Sequence, residues 1–430
     1  MKKIIVTVLL AAATFNLVAC GSAGKSKGED ATISVQVEKA WVPYYEQARD
    51  RVLEKNPDAT INFIETGSFD HLDVIDATDS TNVDVADVFA IPADRLYKLS
   101  NNNVLAAIDG KTMADNVGGF EDYDAGLGGA FKKDDEYLAF PYNIETLVAY
   151  VNVENAKTLG IDTTKKIEFN DLGYESMLAL VHDAWSGVAF TNSAGFELLA
   201  KDADGKLITD ATKEYKDLTE DNKKLFESLF NYWKNHNENK TDLWDKVAAG
   251  GYLDAKFTTG QANAIRIDGP WAAAALSERV GSEENLQVLP LNQITLNGNE
   301  LSHWKGGWGL AVNSRIEEDE SKMDLAASLI EEIVNPTYAQ DLFKATGKIL
   351  ENVEPSAYEG IDTMNKKVID ATYESYETAV ARPLFTEWDN VWTTWQNSVL
   401  SWSNTNPKNA EEAYNQVKSS FEAMMATFNK

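Results

Sequence analysis

The stretch Ala262-Asn263-Ala264-Ile265-Arg266-Ile267-Asp268-Gly269-Pro270-Trp271 reads as a β-strand that runs into a turn. Apolar and polar residues alternate up to Asp268, Gly269-Pro270 breaks the pattern, and Ala272-Ala273-Ala274-Ala275-Leu276 follows as a strong helix former. Trp271 is thereby predicted in the first turn of a helix, just past a strand end. In α/β sheets that is where ligands bind. A lone Trp at such a place reads equally as core packing, so the rest of the chain has to decide its role.

Upstream the same alternation recurs. Strands are predicted over 33–38, 60–64 and 87–91, with helices up to Lys55, over 69–77 and up to Leu99. Hairpin-like patterning over 134–140 leads to Pro141-Tyr142-Asn143, and 147–153 is a strong strand. A helix over 174–184, a strand over 188–190, a helix after Asn192 and a long amphipathic helix over 220–235 come next. Strands over 287–289 and 308–312 precede helices over 322–334 and 337–344, and the last third is helical over 364–380, 384–403 and 410–428. Strands alternating with helices predict an α/β protein with crossover helices.

The chain has 430 residues, 44% of them hydrophobic and 25% charged, which suits two or three folded domains. A net charge of −29 excludes nucleic acid and polyanions as partners. The only cysteine is Cys20. Lys2 and Lys3, an apolar run over 4–18 and small residues near Cys20 make a secretory signal, too short for a comfortable membrane span. Leu17-Val18-Ala19-Cys20 resembles the lipobox of bacterial lipoproteins. That resemblance implies cleavage after 1–19, a lipid on Cys20 and a protein held on the extracellular face of the membrane. Residues 20–30, Gly- and Ser-rich, then form a flexible tether.

Catalytic and metal motifs are absent from the sequence. His71, His182, His236 and His303 are not spaced as metal ligands, and His236 is expected in solvent at a helix end. No G-x-S-x-G falls at a predicted strand-to-helix turn, where a nucleophile elbow would sit, and there is no G-x-x-x-x-G-K-[ST] loop. Asp202-Ala203-Asp204-Gly205 reads as a turn, since its Gly falls at the wrong place for an EF-hand. Counting 68 acidic residues singles out no glycosidase-type carboxylate pair.

Aromatic residues are the distinctive content: 11 Trp, 16 Tyr and 17 Phe. Trp388, Trp392, Trp395 and Trp402 share one helix face, mostly as core, with one able to project into a cleft. A pyranose has an apolar C–H face and a polar rim, so a sugar site interleaves flat aromatics with charged groups. Glu38-Lys39, Asp87-Val88-Phe89-Ala90, Asp94-Arg95, Ala139 to Glu145, Phe257 to Trp271 and Glu387 to Trp392 follow one another in an order that resembles the extracellular solute-binding proteins of carbohydrate ABC importers, among them the maltose and maltodextrin binders. The resemblance implies a two-lobed α/β fold, each lobe a sheet flanked by helices, with the ligand cleft between. It implies lobe one over 31–143 and 304–350, lobe two over 146–300 and 351–430, and a hinge near 143–145, 301–306 and 347–355. It implies ligand contacts from Lys39, Asp94, Arg95, Tyr142, Glu145, Phe196, Trp271 and Trp392. Ile91, Phe196 and Gln396 depart from the pattern of the maltose binders; Trp41 and Trp304 offer replacement aromatic surface or core packing. The implied role is capture of an oligosaccharide of malto-oligosaccharide type for an ABC permease, by a monomer with no cofactor and no catalysis. A lipid-anchored glycoside-active enzyme and a binder of a non-sugar solute, such as a polyamine, are the alternatives.

Overall fold

A computed structural model describes residues 31–428. The signal peptide, Cys20 and the tether lie outside the described residues. The first sheet orders Val380–Ala381, Trp304–Val312, Val88–Pro92, Thr32–Val37 and Thr60–Glu65, and Phe140–Glu145 also pairs with Trp304–Val312. Thr32–Val37 runs parallel to both its neighbours, while Trp304–Val312 is antiparallel to Val88–Pro92. Every residue of Val88–Pro92 is buried, as suits a strand covered on both faces. The second sheet orders Leu286–Pro290, Val148–Asn152, Ile265–Asp268 and Met177–Leu178. Helices pack on both sheets, giving the two-lobed α/β architecture.

Two hydrophobic cores form, and the first extends from the first sheet onto one face of the second through Val148, Tyr150, Leu286 and Val288. Val35, Phe89, Ile91, Leu310, Leu329 and Leu342 belong to the first. Phe190, Phe226, Trp233, Trp395, Trp402 and Tyr414 belong to the second. The Thr363–Glu377 helix bridges toward the second sheet: Val368 and Ile369 are in the first core, and Ser375 Oγ accepts from Leu291 N at 2.8 Å. The chain passes from the first sheet to the second within a few residues, at Glu145 to Val148.

Most predicted elements are present, but one region differs. The expected helix over 174–184 is a loop carrying the short strand Met177–Leu178, and the expected strand over 188–190 lies inside the helix Ala184–Ser193. Asp183 accepts a hydrogen bond from Trp185 N and caps that helix, setting its start. Residues 187–191 are all buried, so their apolar run carried no period from which to tell helix from strand. No helix follows Asn192; Gly195 turns the chain at φ +61. His236, expected in solvent, is 1% exposed. It bonds Thr241 Oγ1 at 2.7 Å and the Tyr174 carbonyl at 3.1 Å, and burial lowers its pKa to about 4. The 202–205 turn is as read: Asp202 Oδ1 accepts from Asp204 N and Lys206 N.

The tryptophan stripe divides as its spacing suggests. Trp388, Trp395 and Trp402 are buried, and their indole N–H groups donate to the carbonyls of Leu199, Val181 and Ala413. Trp392 stays half-buried. Gly187 lets the Asp389–Leu400 helix approach: a Cβ there would lie 2.7 Å from Val181 O and 2.8 Å from Trp395 Nε1. Gly187→Ala is therefore expected to lower the urea midpoint, by about 1–3 kcal/mol of stability. Gly250→Ala, in the helix Ala249–Lys256 with open space around it, is expected to leave stability unchanged or raise it by about 0.5–1 kcal/mol. Equal effects of the two substitutions would contradict this packing.

Candidate ligand-binding cleft

The cleft floor is made where the two strands Phe140–Glu145 and Trp304–Val312 pair. A bulge between Trp308 and Gly309 shifts the register there. Glu145 ends its strand, and its Oε1 accepts from Trp308 Nε1 at 3.0 Å. Burial raises the pKa of Glu145, against the opposing fields of Arg382 and Lys348 and the bond from Trp308.

Above this floor lies a cavity of about 560 Å³, within the range of small-molecule sites. Phe69, Pro92, Asp94, Arg95, Glu145 and Trp308 line it from one side, with Asp183, Trp185, Trp271, Arg382, Asp389, Trp392 and Thr393 completing the wall. A second cavity of about 370 Å³ adjoins it, lined by Glu38, Trp41, Ser68, Asn143, Pro270, Gly347 and Lys348 among others. Phe69, Glu145, Trp271 and Trp308 line both.

Arg382 follows Val380–Ala381, the edge strand of the first sheet, and lines the larger cavity. Its Nη2 lies 2.9 Å from Asp94 Oδ2, with the two side chains 5% and 15% exposed. The guanidinium carbon is 5.2 Å from the Trp185 ring, 5.3 Å from Trp304 and 5.9 Å from Trp392. Arginine suits such a place, because its flat cation stacks on indoles while its edge bonds a carboxylate. Arg382 Nη1, Asp94 Oδ1 and Trp185 Nε1 find no hydrogen-bond partner. Polar groups without partners thus gather at this junction of two walls. Arg95 is 3.6 Å from Asp76, and burial raises the pKa of Asp389, with Arg95 opposing.

Trp271 is held out of the core by its turn. Ile265–Asp268 ends at Gly269, and a short 3-10 turn, Pro270–Ala272, leads into the helix Ala273–Val280. Tyr150 Oη donates to the Gly269 carbonyl at 2.9 Å. Asp268 accepts from Gly269 N and from Arg266, which also pairs with Asp254 at 2.6 Å. The indole folds back over Gly269, where a Cβ would lie 2.1–2.3 Å from three of its ring carbons. Trp271 is 49% exposed and presents its ring to both cavities.

The smaller cavity is built around Lys348. Its Nζ donates to Asn143 Oδ1 at 3.1 Å and sits 4.9–5.2 Å from the rings of Trp41, Tyr142 and Trp308. Glu38 Oε1 accepts from Ser68 Oγ at 2.8 Å. Among the described residues, no cluster of His, Cys, Asp and Glu is arranged to hold a metal ion.

Of the residues singled out in the sequence, Asp94, Arg95, Glu145, Trp271 and Trp392 come together around the larger cavity and Trp41 lines the smaller. Four line neither cavity. Phe196 is a correction: it is 2% exposed and packs in the second core on Phe226 and Tyr414, because Gly195 turns it inward. Lys39 is exposed in the turn Lys39–Trp41, while its neighbour Glu38 faces the smaller cavity. Tyr142 is buried behind the wall, with its hydroxyl 3.2 Å from that of Tyr45 and its ring under Lys348. Trp304 is core, edge-on to Trp388 and Trp392. Sequence reading missed Phe69, Asp183, Trp185, Trp308, Lys348, Arg382 and Asp389. Capping Asp183 beside Trp185 was the one local signal available.

Known proteins share this fold. The chain is 25% identical over 421 residues to the maltodextrin-binding protein MdxE of Bacillus subtilis, covering 94% of this chain and 93% of that protein. The maltose-binding periplasmic protein MalE of Listeria monocytogenes, solved in complex with maltose, superposes with a TM-score of 0.68 at 20% identity, over 93% of this chain and 100% of its own. MalX of Streptococcus pneumoniae, solved with maltopentaose, gives 0.66 at 18% identity, over 91% and 99%. At such identities the solved structures speak for the fold. The family model for bacterial extracellular solute-binding proteins matches residues 47–372, well over half of the chain. The chain belongs to that family: it is a bacterial extracellular solute-binding protein.

Proposed function

We infer that the cleft captures a neutral oligosaccharide, of the maltodextrin type, and that the protein delivers it to an ABC permease. The observation that carries this reading is the composition of the larger cavity. Exposed or half-buried faces of Trp185, Trp271 and Trp392 stand with Phe69 and Trp308 around Asp94, Glu145, Asp183, Arg95 and Arg382. Flat apolar faces cover a pyranose, and charged groups at its rim take the hydroxyls. The likeness to a maltodextrin-binding protein over 94% of the chain supports the same ligand class. A solute-binding protein of this kind performs no chemistry on its ligand.

In this reading, 31–143 with 304–350 and 146–300 with 351–430 move as two lobes, except that the strand Val380–Ala381 pairs in the first sheet. The crossings near 143–145, 301–306 and 347–355 are the hinge, and ligand favours the closed state. Asp94, Arg95 and Trp41 act from lobe one, Glu145 from the hinge, and Trp271 and Trp392 from lobe two. The lipobox-like Leu17-Val18-Ala19-Cys20 supports anchoring by a lipid on Cys20 at the extracellular face of the membrane.

One observation favours a second reading. Asp94, Glu145, Asp183 and Asp389 outnumber Arg95 and Arg382 in the larger cavity, a balance that also suits a cationic solute such as a polyamine.

A titration of maltodextrins and of polyamines, followed by tryptophan fluorescence and calorimetry, separates the two. A maltodextrin is expected to shift the fluorescence and release heat. A broad glycan panel that gives neither, with a polyamine that gives both, would overturn the sugar reading. Trp271→Ala is expected to weaken sugar binding by about tenfold to a hundredfold, the effect of removing a central aromatic anchor. Gly269→Ala is expected to act the same way without touching the ligand, by pushing the indole off its seat. Unchanged affinity in Trp271→Ala would take Trp271 out of the ligand wall.

A further inference from the structure

Lys348 is a charged group at the cleft to which the sugar reading gives no task. It follows Gly347, and the next residue, Ile349, accepts a hydrogen bond from Ile144 N at 3.0 Å, so the lysine stands on the cleft floor beside Asn143. An ammonium has three N–H donors. One goes to Asn143 Oδ1 at 3.1 Å. The rings of Trp41, Tyr142 and Trp308 offset the charge from three sides, at 4.9, 5.2 and 5.0 Å. No carboxylate among the described residues forms an ion pair with it; Glu38 and Glu145 act on it at longer range. A second cation, Arg382, also acts on Glu145. Tyr142 is neutral, its hydroxyl engaged with that of Tyr45.

The small cavity holds polar groups of both kinds. Glu38 Oε1 is engaged by Ser68, and Glu145 Oε1 by Trp308, which leaves each carboxylate a second oxygen. Lys348 supplies donors to the same cavity, within the field of both carboxylates. A hydroxyl both donates and accepts, so a run of sugar hydroxyls matches both kinds. A carboxylate or phosphate on the ligand would meet two glutamates. The aromatic surface of Trp41, Trp271 and Trp308 suits the apolar face of the same ring.

We propose that Lys348 is a ligand contact and specificity-determining residue, donating to the hydroxyls of an end residue of a neutral oligosaccharide lodged in the smaller cavity, in the part that the sequence suggested for Lys39. This rests on the reading of the cleft as a sugar site. Burial holds the ammonium's pKa down to about 8, the mark of a charge that its present neighbours only partly compensate. A sugar hydroxyl accepting from Nζ restores part of that compensation.

The test is calorimetric titration of maltose, maltotetraose and maltopentaose into the wild-type protein and into Lys348→Met and Lys39→Met. For the ligand that wild type binds best, Lys348→Met is expected to lose about tenfold to a hundredfold in affinity, as for one hydrogen bond from a charged donor. Lys39→Met, at an exposed position, is expected to change it by less than about twofold. NMR of the lysine side chains gives a readout that needs no variant. The Lys348 titration midpoint is expected near 8 without sugar, and higher by about one pH unit or more with saturating sugar. Wild-type affinity retained in Lys348→Met, a midpoint unmoved by saturating sugar, or tighter binding of a uronate-bearing oligosaccharide than of its neutral counterpart would each overturn the proposal. A wild-type protein that binds none of the panel would instead remove the sugar reading on which the proposal rests.

Discussion

The Asp94–Arg382 ion pair is the contact on which the cleft depends. Asp94 stands in the turn after Val88–Pro92 and Arg382 just past Val380–Ala381, both strands of the first sheet, and the guanidinium is wedged against Trp185, Trp304 and Trp392 of the second core's edge. Both side chains are largely out of water, so each charge needs the other; removing one partner of such a pair costs about 3–5 kcal/mol. The indoles do part of the compensating, since an aromatic face attracts a guanidinium most where water is excluded. One arginine thereby ties the two walls together and fixes three indoles near the place where a ligand would lie. Lys348 repeats the device at the smaller cavity, with Asn143 in the place of a carboxylate.

Around these two cations the tryptophans divide between structure and surface by what their N–H groups can reach. Trp388, Trp395 and Trp402 each find a backbone carbonyl and close the second core. Trp308 finds Glu145, and so turns its ring toward both cavities while its polar edge points to the floor. Trp271 is kept exposed by the backbone instead: Tyr150 and Asp268 hold Gly269, and the absent Cβ of Gly269 gives the indole room. The same residue type serves as core and as wall.

Much of the fold was legible in the sequence, because alternation and helical spacing are strong where one face is buried and the other wet. The helix Ala410–Phe428 and the strand before Trp271 are instances. The segment 174–193 departs from its apparent pattern because its helix is buried nearly all round, which erases the period, and because the Asp183 cap sets its start. Among site residues, Asp94, Arg95, Glu145, Trp271 and Trp392 were reached through motifs, and they line the larger cavity. Arg382 and Lys348 were not, since each is a single cation in an irregular segment, and only the paired strands Trp304–Val312 and Val380–Ala381 and the Ile144–Ile349 bridge bring them inward. Phe196 was chosen by its place along the chain, and a left-handed glycine sends it to the core instead.

Crystals grown with maltotetraose would test the central claim most directly. The expected result is sugar density in the larger cavity, with one ring against Trp271 and hydroxyls within hydrogen-bonding reach of Asp94, Glu145 or Arg382. Sugar bound on another face of the protein, or a cleft still free of sugar at saturating concentration, would contradict the account.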